Sequence, residues 1–133
     1  MRSTPRSAFS RPFIALIALT LSAAVAPLGA APALAHAHLQ AASPADKASV
    51  TTSPEAITLT FSEALSLALS GITLTAEGKG AMTTGAARLG PDGKSLTVPL
   101  TAPLAPGAYQ VDWHVLSVDG HKTRGTLHFT VAP

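Results

Sequence analysis

Short stretches in which hydrophobic and polar residues alternate recur along the chain after residue 56. The longest of them covers residues 109–115, where Tyr, Val, Trp and Val take every second position and polar side chains lie between them. Alternation with a period of two predicts β-strands that bury one face and expose the other. The same pattern occurs in residues 57–61, 72–75, 96–100 and 126–131. Residues 109–115 and 126–131 are expected to supply much of the hydrophobic core.

Turn-forming residues separate these stretches, as expected for strands joined by short connections. They lie at Ser43-Pro44, Ser53-Pro54, Pro91-Asp92-Gly93 and Pro106-Gly107. Only residues 64–70 fit a strand and a single helical turn equally well. About seven short strands in about 100 residues predict an all-β domain, namely a seven-stranded Greek-key β-sandwich or barrel of immunoglobulin-like or cupredoxin-like type.

A different pattern occupies the N-terminal end of the chain. Three arginines precede an apolar run over residues 13–26, and an Ala-Leu-Ala triplet follows shortly after it. The run is shorter than the roughly 20 apolar residues that a membrane-spanning helix needs. Signal peptidase accepts small residues in the spacing that the triplet provides. We therefore interpret residues 1–35 as a secretory signal peptide and residues 36–133 as a mature domain that begins at His36.

Composition and charge exclude several classes of function. The whole chain has a net charge of +2, but residues 36–133 contain six basic and seven acidic residues. They therefore lack the basic cluster that nucleic-acid binding requires. Because the chain has no cysteine, disulfides and thiolate-ligated metal centres are also excluded. We expect a soluble, monomeric domain that lies outside the cytoplasm and does not bind nucleic acid.

The predicted new N-terminus is a candidate metal chelate. Cleavage after residue 35 gives His36 a free α-amine, so the amine nitrogen and the imidazole Nδ1 can close a six-membered ring on one ion. Free α-amines and imidazoles have pKa values of about 7.7–8.0 and 6.5, so both give up their protons to a metal near neutral pH at modest cost. The alternative is that signal peptidase leaves a histidine there by chance.

A second pair of metal-ligating residue types lies near the other end of the chain. Asp119 and His121 are two residues apart, so they point the same way if the backbone is extended. Alone, this spacing is weak evidence, because Asp-Gly is also a common hairpin turn. With His36 the pair offers three nitrogens and one oxygen, a set that suits tetragonal Cu(II). If the three residues meet in the fold, this set predicts one Cu(II) ion per chain.

The remaining candidate ligands carry less weight. His38, the third residue of the mature chain, can bind Cu(II) or Ni(II) together with deprotonated backbone amides. That arrangement would remove those amides from a β-ladder, and we favour His38 as a neighbour of the chelate. His114 and His128 lie at polar positions of their strands and are expected to face solvent. Met82 is the single methionine of residues 36–133 and cannot form a dedicated Cu(I) site alone.

Several motifs occur together in a fixed order along the mature chain. They are His36-Ala37-His38-Leu39, Ser43-Pro44, Phe61-Ser62-Glu63, Gly107-x-Tyr109-x-Val111-x-Trp113 and Ser117-Val118-Asp119-Gly120-His121-Lys122. The set resembles the CopC family of periplasmic copper-binding, copper-resistance proteins. The resemblance implies a β-sandwich whose histidine brace holds Cu(II): His36 chelates, His121 completes the brace and Asp119 adds an oxygen. Glu63 matches an acid at or beside the metal, as a ligand or as a partner of one.

The resemblance implies a binding protein that is not an enzyme. Its expected role is copper homeostasis and resistance, by sequestering Cu(II) or delivering it to a CopD-like inner-membrane transporter. One alternative is a mono-copper oxidative enzyme, since a histidine brace also activates oxygen in polysaccharide monooxygenases. Those enzymes often use exposed aromatic residues, whereas the four aromatic residues of the mature domain all lie at predicted core positions. Another alternative is a metal-free sandwich that serves adhesion or assembly and takes up no stoichiometric copper.

Overall fold

The computed structural model describes residues 36–133, so the predicted signal peptide and its cleavage site lie outside the described residues. The described part forms nine β-strands and one short 3-10 turn, Leu67–Leu69. Within it, no helix is long and apolar enough to cross a membrane. The strands are β1 (Leu39–Ser43), β2 (Ala48–Val50), β3 (Ala56–Phe61), β4 (Gly71–Ala76), β5 (Gly80–Ala81), β6 (Arg88–Leu89), β7 (Ser95–Pro99), β8 (Gly107–Leu116) and β9 (Lys122–Val131).

The strands form two sheets that enclose one core. The four-stranded sheet has the order β1-β3-β7-β6, and the five-stranded sheet has the order β2-β9-β8-β4-β5. The chain crosses repeatedly between the sheets, for example from β1 to β2, from β2 to β3 and from β7 to β8. Such crossings are typical of Greek-key sandwiches. The long strands β8 and β9 pair antiparallel over their whole length, and β2 runs parallel to β9 at one edge. The predicted all-β sandwich is confirmed.

The structure has two more strands than the seven expected from the sequence. The additional strands, β5 and β6, contain two residues each and lie at the outer edges of their sheets. A two-residue strand is too short to show alternation, so the pattern could not reveal it. The ambiguous residues 64–70 contain the 3-10 turn Leu67–Leu69, which agrees with the helical alternative.

Alternate residues of the strands fill the space between the sheets. In β3, Ile57, Leu59 and Phe61 are fully buried, while the threonines between them are partly exposed. Val111 and Leu127 play the same part in β8 and β9. Burying such side chains contributes roughly 1.5–3 kcal/mol each. All of these core side chains come from residues 36–133, the part of the chain that the structure describes.

Aromatic side chains connect the two sheets near the end where β9 begins. Trp113 packs edge-on against Phe61 of the opposite sheet, with ring centroids 5.1 Å apart. It lies opposite Gly125 in the β8–β9 ladder, where a Cβ atom would come within 2.5 Å of the indole. Deeper in the core, Tyr109 stacks on Phe129 at 5.4 Å. The prediction that Tyr109 and Trp113 serve core packing is confirmed.

Candidate metal centre

The three residues before β1 form a short strap that is held by both sheets. Ser62, directly after β3, accepts a hydrogen bond from the His38 amide at 2.9 Å and donates its hydroxyl to the His36 carbonyl at 3.3 Å. From the five-stranded sheet, the hydroxyl of Thr123 donates to the Ala37 carbonyl at 3.0 Å. The side chain of Ala37 is buried between them, at 1% exposure. His36 is therefore fixed at the edge of the sandwich by its neighbours' hydrogen bonds.

A tight loop between β8 and β9 carries the second group of predicted ligands. The buried Ser117 begins the loop, and its amide donates to the His121 carbonyl at 2.9 Å. Gly120 has a φ of +93°, which favours glycine because other side chains are strained there. The loop closes on itself through these contacts, so Asp119 and His121 have a defined position relative to β9.

The carboxylate of Asp119 is the hydrogen-bond acceptor of this loop. It receives the Ser117 hydroxyl and, at 3.2 Å, the His121 amide. Its second oxygen lies 3.0 Å from Nδ1 of His121. The Ser117 hydrogen bond, followed by that of the His121 side chain, lowers the pKa of Asp119 to about 2. The carboxylate is consequently an ionised oxygen donor at neutral pH.

The strap and the loop bring two of the predicted ligands into contact. The rings of His36 and His121 lie with their centroids 4.7 Å apart and their planes at 68°, in an edge-to-face arrangement. Imidazole nitrogens lie about 2.0–2.1 Å from a bound zinc ion, so ligands of one ion must be close neighbours. His36, His121 and Asp119 thus form a continuous chain of contacts at one edge of the sandwich.

The described residues do not form a closed metal cage in this conformation. Among residues 36–133, no three His, Asp or Glu side chains converge closely enough to hold an ion. Nδ1 of His121 faces the Asp119 carboxylate, which leaves Nε2 of the same ring as the nitrogen that can bind an ion. The predicted amine ligand is the main-chain nitrogen of His36, which is not a side-chain donor. The assignment of His36, Asp119 and His121 as ligands stays a prediction.

Glu63 lies near the strap but is not joined to the other predicted ligands. It follows Ser62, whose amide donates to the His38 carbonyl at 2.9 Å, and its side chain is partly exposed. Within residues 36–133, no hydrogen bond or ion pair links its carboxylate to His36, Asp119 or His121. Its role as a ligand or as a partner of one stays a prediction.

The hydrogen bonds of the strap oppose the alternative site at His38, because that site could form only if they were broken. Binding through the terminal loop requires a deprotonated His38 amide, but this amide donates to Ser62. The loop would also have to release the carbonyl contacts of the strap to Ser62 and Thr123. Unmade hydrogen bonds in a partly buried segment cost free energy, so the fold favours leaving the backbone of the strap in place.

Sequence reasoning did not identify the three hydroxyl residues that hold the candidate ligands. Ser62 and Ser117 belong to the ordered motifs, directly beside Glu63 and two residues before Asp119. That proximity was a usable signal, although it did not specify their hydrogen-bond partners. Thr123 has no comparable signal, because threonine is ordinary in a strand.

Comparison with known proteins agrees with this architecture. A family described as the CopC domain matches residues 39–132, a range that begins after His36 and His38. Protein YobA of Escherichia coli K12 is 50% identical over 98 residues, which are 73% of this chain and 79% of YobA. Copper resistance protein C of Xanthomonas campestris pv. juglandis is 40% identical over 121 residues, or 86% of this chain and 94% of that protein.

A solved structure gives the same result in three dimensions. The crystal structure of CopC from Methylosinus trichosporium OB3b superimposes with a TM-score of 0.69 at 33% identity. The match covers 74% of this chain and 95% of that one. Sequence and fold therefore agree over nearly the whole described domain. The chain belongs to the CopC family.

Proposed function

We propose that this protein binds one Cu(II) ion outside the cytoplasm and sequesters or delivers it, without catalysing a reaction. The His36 amine and Nδ1 form a chelate, His121 supplies the opposing imidazole and Asp119 supplies an oxygen. A copper-related role is supported by the family, because a relative that matches most of the chain is a copper resistance protein. The finer assignment rests on the residues at the edge of the sandwich.

The contact between the rings of His36 and His121 is the observation that carries this proposal. These residues come from opposite ends of the described chain, and their rings lie only 4.7 Å apart. Neither ring belongs to the hydrophobic core, so packing of the core does not account for their meeting. Three nitrogen donors and one carboxylate oxygen suit Cu(II), whereas soft sulfur ligands would be needed for Cu(I).

Hydrogen bonds at the site support a binding site that is organised before copper arrives. The strap contacts use the carbonyls of His36 and Ala37 and the amide of His38. None of these contacts uses the nitrogen of His36. Removal of the leader would therefore create the chelating amine without disturbing the strap.

The placement of aromatic residues supports binding rather than oxidation of a polymer. Phe61, Tyr109 and Phe129 are buried, and Trp113 packs against Phe61. The described part of the chain therefore presents no exposed aromatic platform for a polysaccharide beside the proposed copper site. Delivery to a membrane transporter of the CopD type is the partner role that we propose.

One experiment tests the amine ligand directly. Protein that begins at His36 is compared with a form that retains one alanine before it, by Cu(II) titration and paramagnetic resonance. The extra residue turns the amine into an amide, so we expect at least about 100-fold weaker binding, given that even indirect partners of metal ligands affect affinity about 10–100-fold. Equal affinities of the two forms would reject the brace, and no stoichiometric copper uptake by either would favour the metal-free alternative.

A further inference from the structure

A groove of about 570 Å³ opens on the outer face of the five-stranded sheet, at the end where β9 begins. Leu69 of the 3-10 turn forms one side, and Lys122 and Arg124 form the other. His114 lies between them as the ladder partner of Arg124. Because residues alternate along a strand, Lys122 and Arg124 both point outward while Thr123 points inward. We call this feature the basic groove.

The charge of the basic groove is not neutralised by the domain itself. Within the described residues, no carboxylate lies within 4.0 Å of the charged nitrogens of Lys122 or Arg124. Asp112 faces the same side of the sheet, but its carboxylate receives hydrogen bonds from Thr126 at 2.6 Å and Gln110 at 2.8 Å. The groove thus holds two unpaired cations in a domain where acidic residues outnumber basic ones.

Exposed apolar side chains are concentrated at the same end of the molecule. The described residues expose four large hydrophobic side chains, of which Leu67, Leu69 and Val118 are 41%, 58% and 71% exposed. The amide of Val118 donates to the Ala64 carbonyl, which keeps the loop beside the segment that leads into the turn. A cluster of exposed apolar residues next to charged ones is typical of interaction surfaces.

We propose that the basic groove is a docking site for a polypeptide segment that carries carboxylates next to a large apolar side chain. The two cations complement the carboxylates, and Leu69 offers the apolar contact. The surface is concave, so an extended segment can reach the cations within it, whereas a flat anionic membrane would meet mainly the rim. Such a partner is chemically distinct from the copper ion.

The position of the basic groove links it to the strap. Thr123 lines the groove and also donates to the Ala37 carbonyl, and Lys122 directly follows His121. A docked segment would therefore lie close to His121 in the chain, while the Thr123 hydroxyl contacts the strap from the opposite, inner face of β9. This consequence for copper transfer rests on the proposed function, but docking itself does not require copper.

The test uses metal-free protein that begins at His36 and a blocked peptide, Glu-Leu-Asp-Glu-Leu, as the probe. Its neutral twin, Gln-Leu-Asn-Gln-Leu, is the matched control. In a nuclear magnetic resonance titration, we expect saturable shifts of the amides of Leu69, His114 and Arg124 with the acidic peptide. Similar shifts with the neutral twin, or shifts scattered over the domain, would overturn the proposal.

Variants locate the contact on the protein. The double substitution Lys122→Gln with Arg124→Gln should weaken peptide binding by about tenfold, the size expected for loss of two exposed charge contacts. The matched pair Lys79→Gln with Lys94→Gln removes the same charge elsewhere and should change the affinity less than twofold. Equal effects of the two pairs would show non-specific attraction and overturn the proposal.

Two further measurements separate this proposal from its alternatives. Binding to phosphatidylglycerol vesicles without binding to the peptide would assign the patch to a membrane and overturn peptide docking. The peptide titration is also repeated with a metal chelator present, where we expect unchanged affinity because docking does not require copper. Failure of copper binding would then leave the docking result intact, and failure of docking would leave the copper titration intact.

Discussion

Two pairs of histidines occupy different kinds of position in this domain. His114 and His128 lie within β8 and β9, whereas His36 and His121 lie just before β1 and β9. On the ladder, His128 pairs with Gln110, four residues from His114, which is about 13 Å along a strand. The rings of His36 and His121 are 4.7 Å apart.

The two pairs of histidines also differ in what their rings contact. The rings of His114 and His128 contact other residues of the sheet, whereas the rings of His36 and His121 contact each other. Nε2 of His128 lies 3.3 Å from Oε1 of Gln110, and the ring of His114 lies over Gly71, within 3.3 Å of where a Cβ atom would be. A ladder fixes the spacing of its side chains, so these histidines stay separate. The strap and the loop lie outside the ladder and have no such constraint, so they can bring distant residues to one edge.

Replacing one histidine of each pair tests the difference between the pairs most directly. We expect His121→Ala to weaken Cu(II) binding at least about 100-fold, because a direct ligand should matter more than the indirect partners that affect affinity about 10–100-fold. His128→Ala should leave the affinity unchanged, since its ring lies on the outer sheet face. Calorimetric titration measures both, and equal losses would contradict the proposed site.

Paramagnetic resonance of the same samples distinguishes the brace from a terminal loop. His38→Ala should retain the Cu(II) spectrum of the unsubstituted protein, because the amide of His38 already binds Ser62. Loss of the spectrum in His38→Ala, with retention in His121→Ala, would support the terminal loop instead.

Copper should also stabilise the fold through the proposed site. An ion that binds only the folded state raises the free energy of unfolding by about 2.7 kcal/mol at 100 times its dissociation constant. We expect this increase in the unsubstituted protein and in His128→Ala, and at most about 0.4 kcal/mol in His121→Ala at the same copper concentration, where the ion is at or below its dissociation constant. Denaturant unfolding with copper, and after its removal by a chelator, measures the effect. Unfolding that is indifferent to copper in all three proteins would reject the site.

A smaller effect is expected from the hydroxyl that holds the strap. Ser62→Ala removes the contacts to the His36 carbonyl and the His38 amide, so we expect Cu(II) affinity to fall by about tenfold. Ser95→Ala is the matched control, because its hydroxyl pairs with Thr60 in the four-stranded sheet. Ser62→Thr keeps a hydroxyl and should restore most of the affinity.

These outcomes separate positioning from general stability. If Ser62 only stabilised the fold, Ser62→Ala would lower the melting temperature and leave the copper affinity of the folded protein unchanged. If Ser95→Ala weakened copper binding as much as Ser62→Ala, the strap contact would have no specific role.

The strands and the outward-facing histidines could be predicted from the sequence. Alternation identified β3, β8 and β9 because long strands with one buried face produce a clear period. The outward positions of His114 and His128 follow from the same period. Ligand chemistry and the family resemblance suggested that His36 meets His121, but no local rule relates residues so far apart in the chain.

Other features depend on contacts that no local pattern encodes. The hydroxyls of Ser62 and Thr123 bind strap residues 24 and 86 positions away in sequence, and serine and threonine have many roles in β-proteins. The basic groove has the same origin. Its charges come from β9, but its apolar side comes from a 3-10 turn whose position depends on how the two sheets pack.

The smallest predicted effect concerns acid stability on the sheet face that carries His128. Hydrogen bonds from Thr126, and then from Gln110, lower the pKa of the Asp112 carboxyl in the folded protein, and the nearby His128 adds to this effect. The pKa of an unfolded aspartate is about 3.9. A lowered folded pKa stabilises the fold above that value, and the benefit is lost as pH falls through the folded pKa.

Asp112→Asn removes this titration while keeping the size of the side chain. The unsubstituted protein should therefore lose more stability than Asp112→Asn when the pH is lowered from about 5 to 2, and the two should run parallel from about 5 to 7. Metal-free samples are compared by denaturant unfolding at each pH, with Asp92→Asn as the control for an exposed turn carboxylate. If Asp112→Asn lost as much stability as the unsubstituted protein over the acidic range, the hydrogen bonds to Asp112 would contribute nothing to the pH dependence of stability. The difference between the two pairs of histidines would then come from the strap and the loop alone.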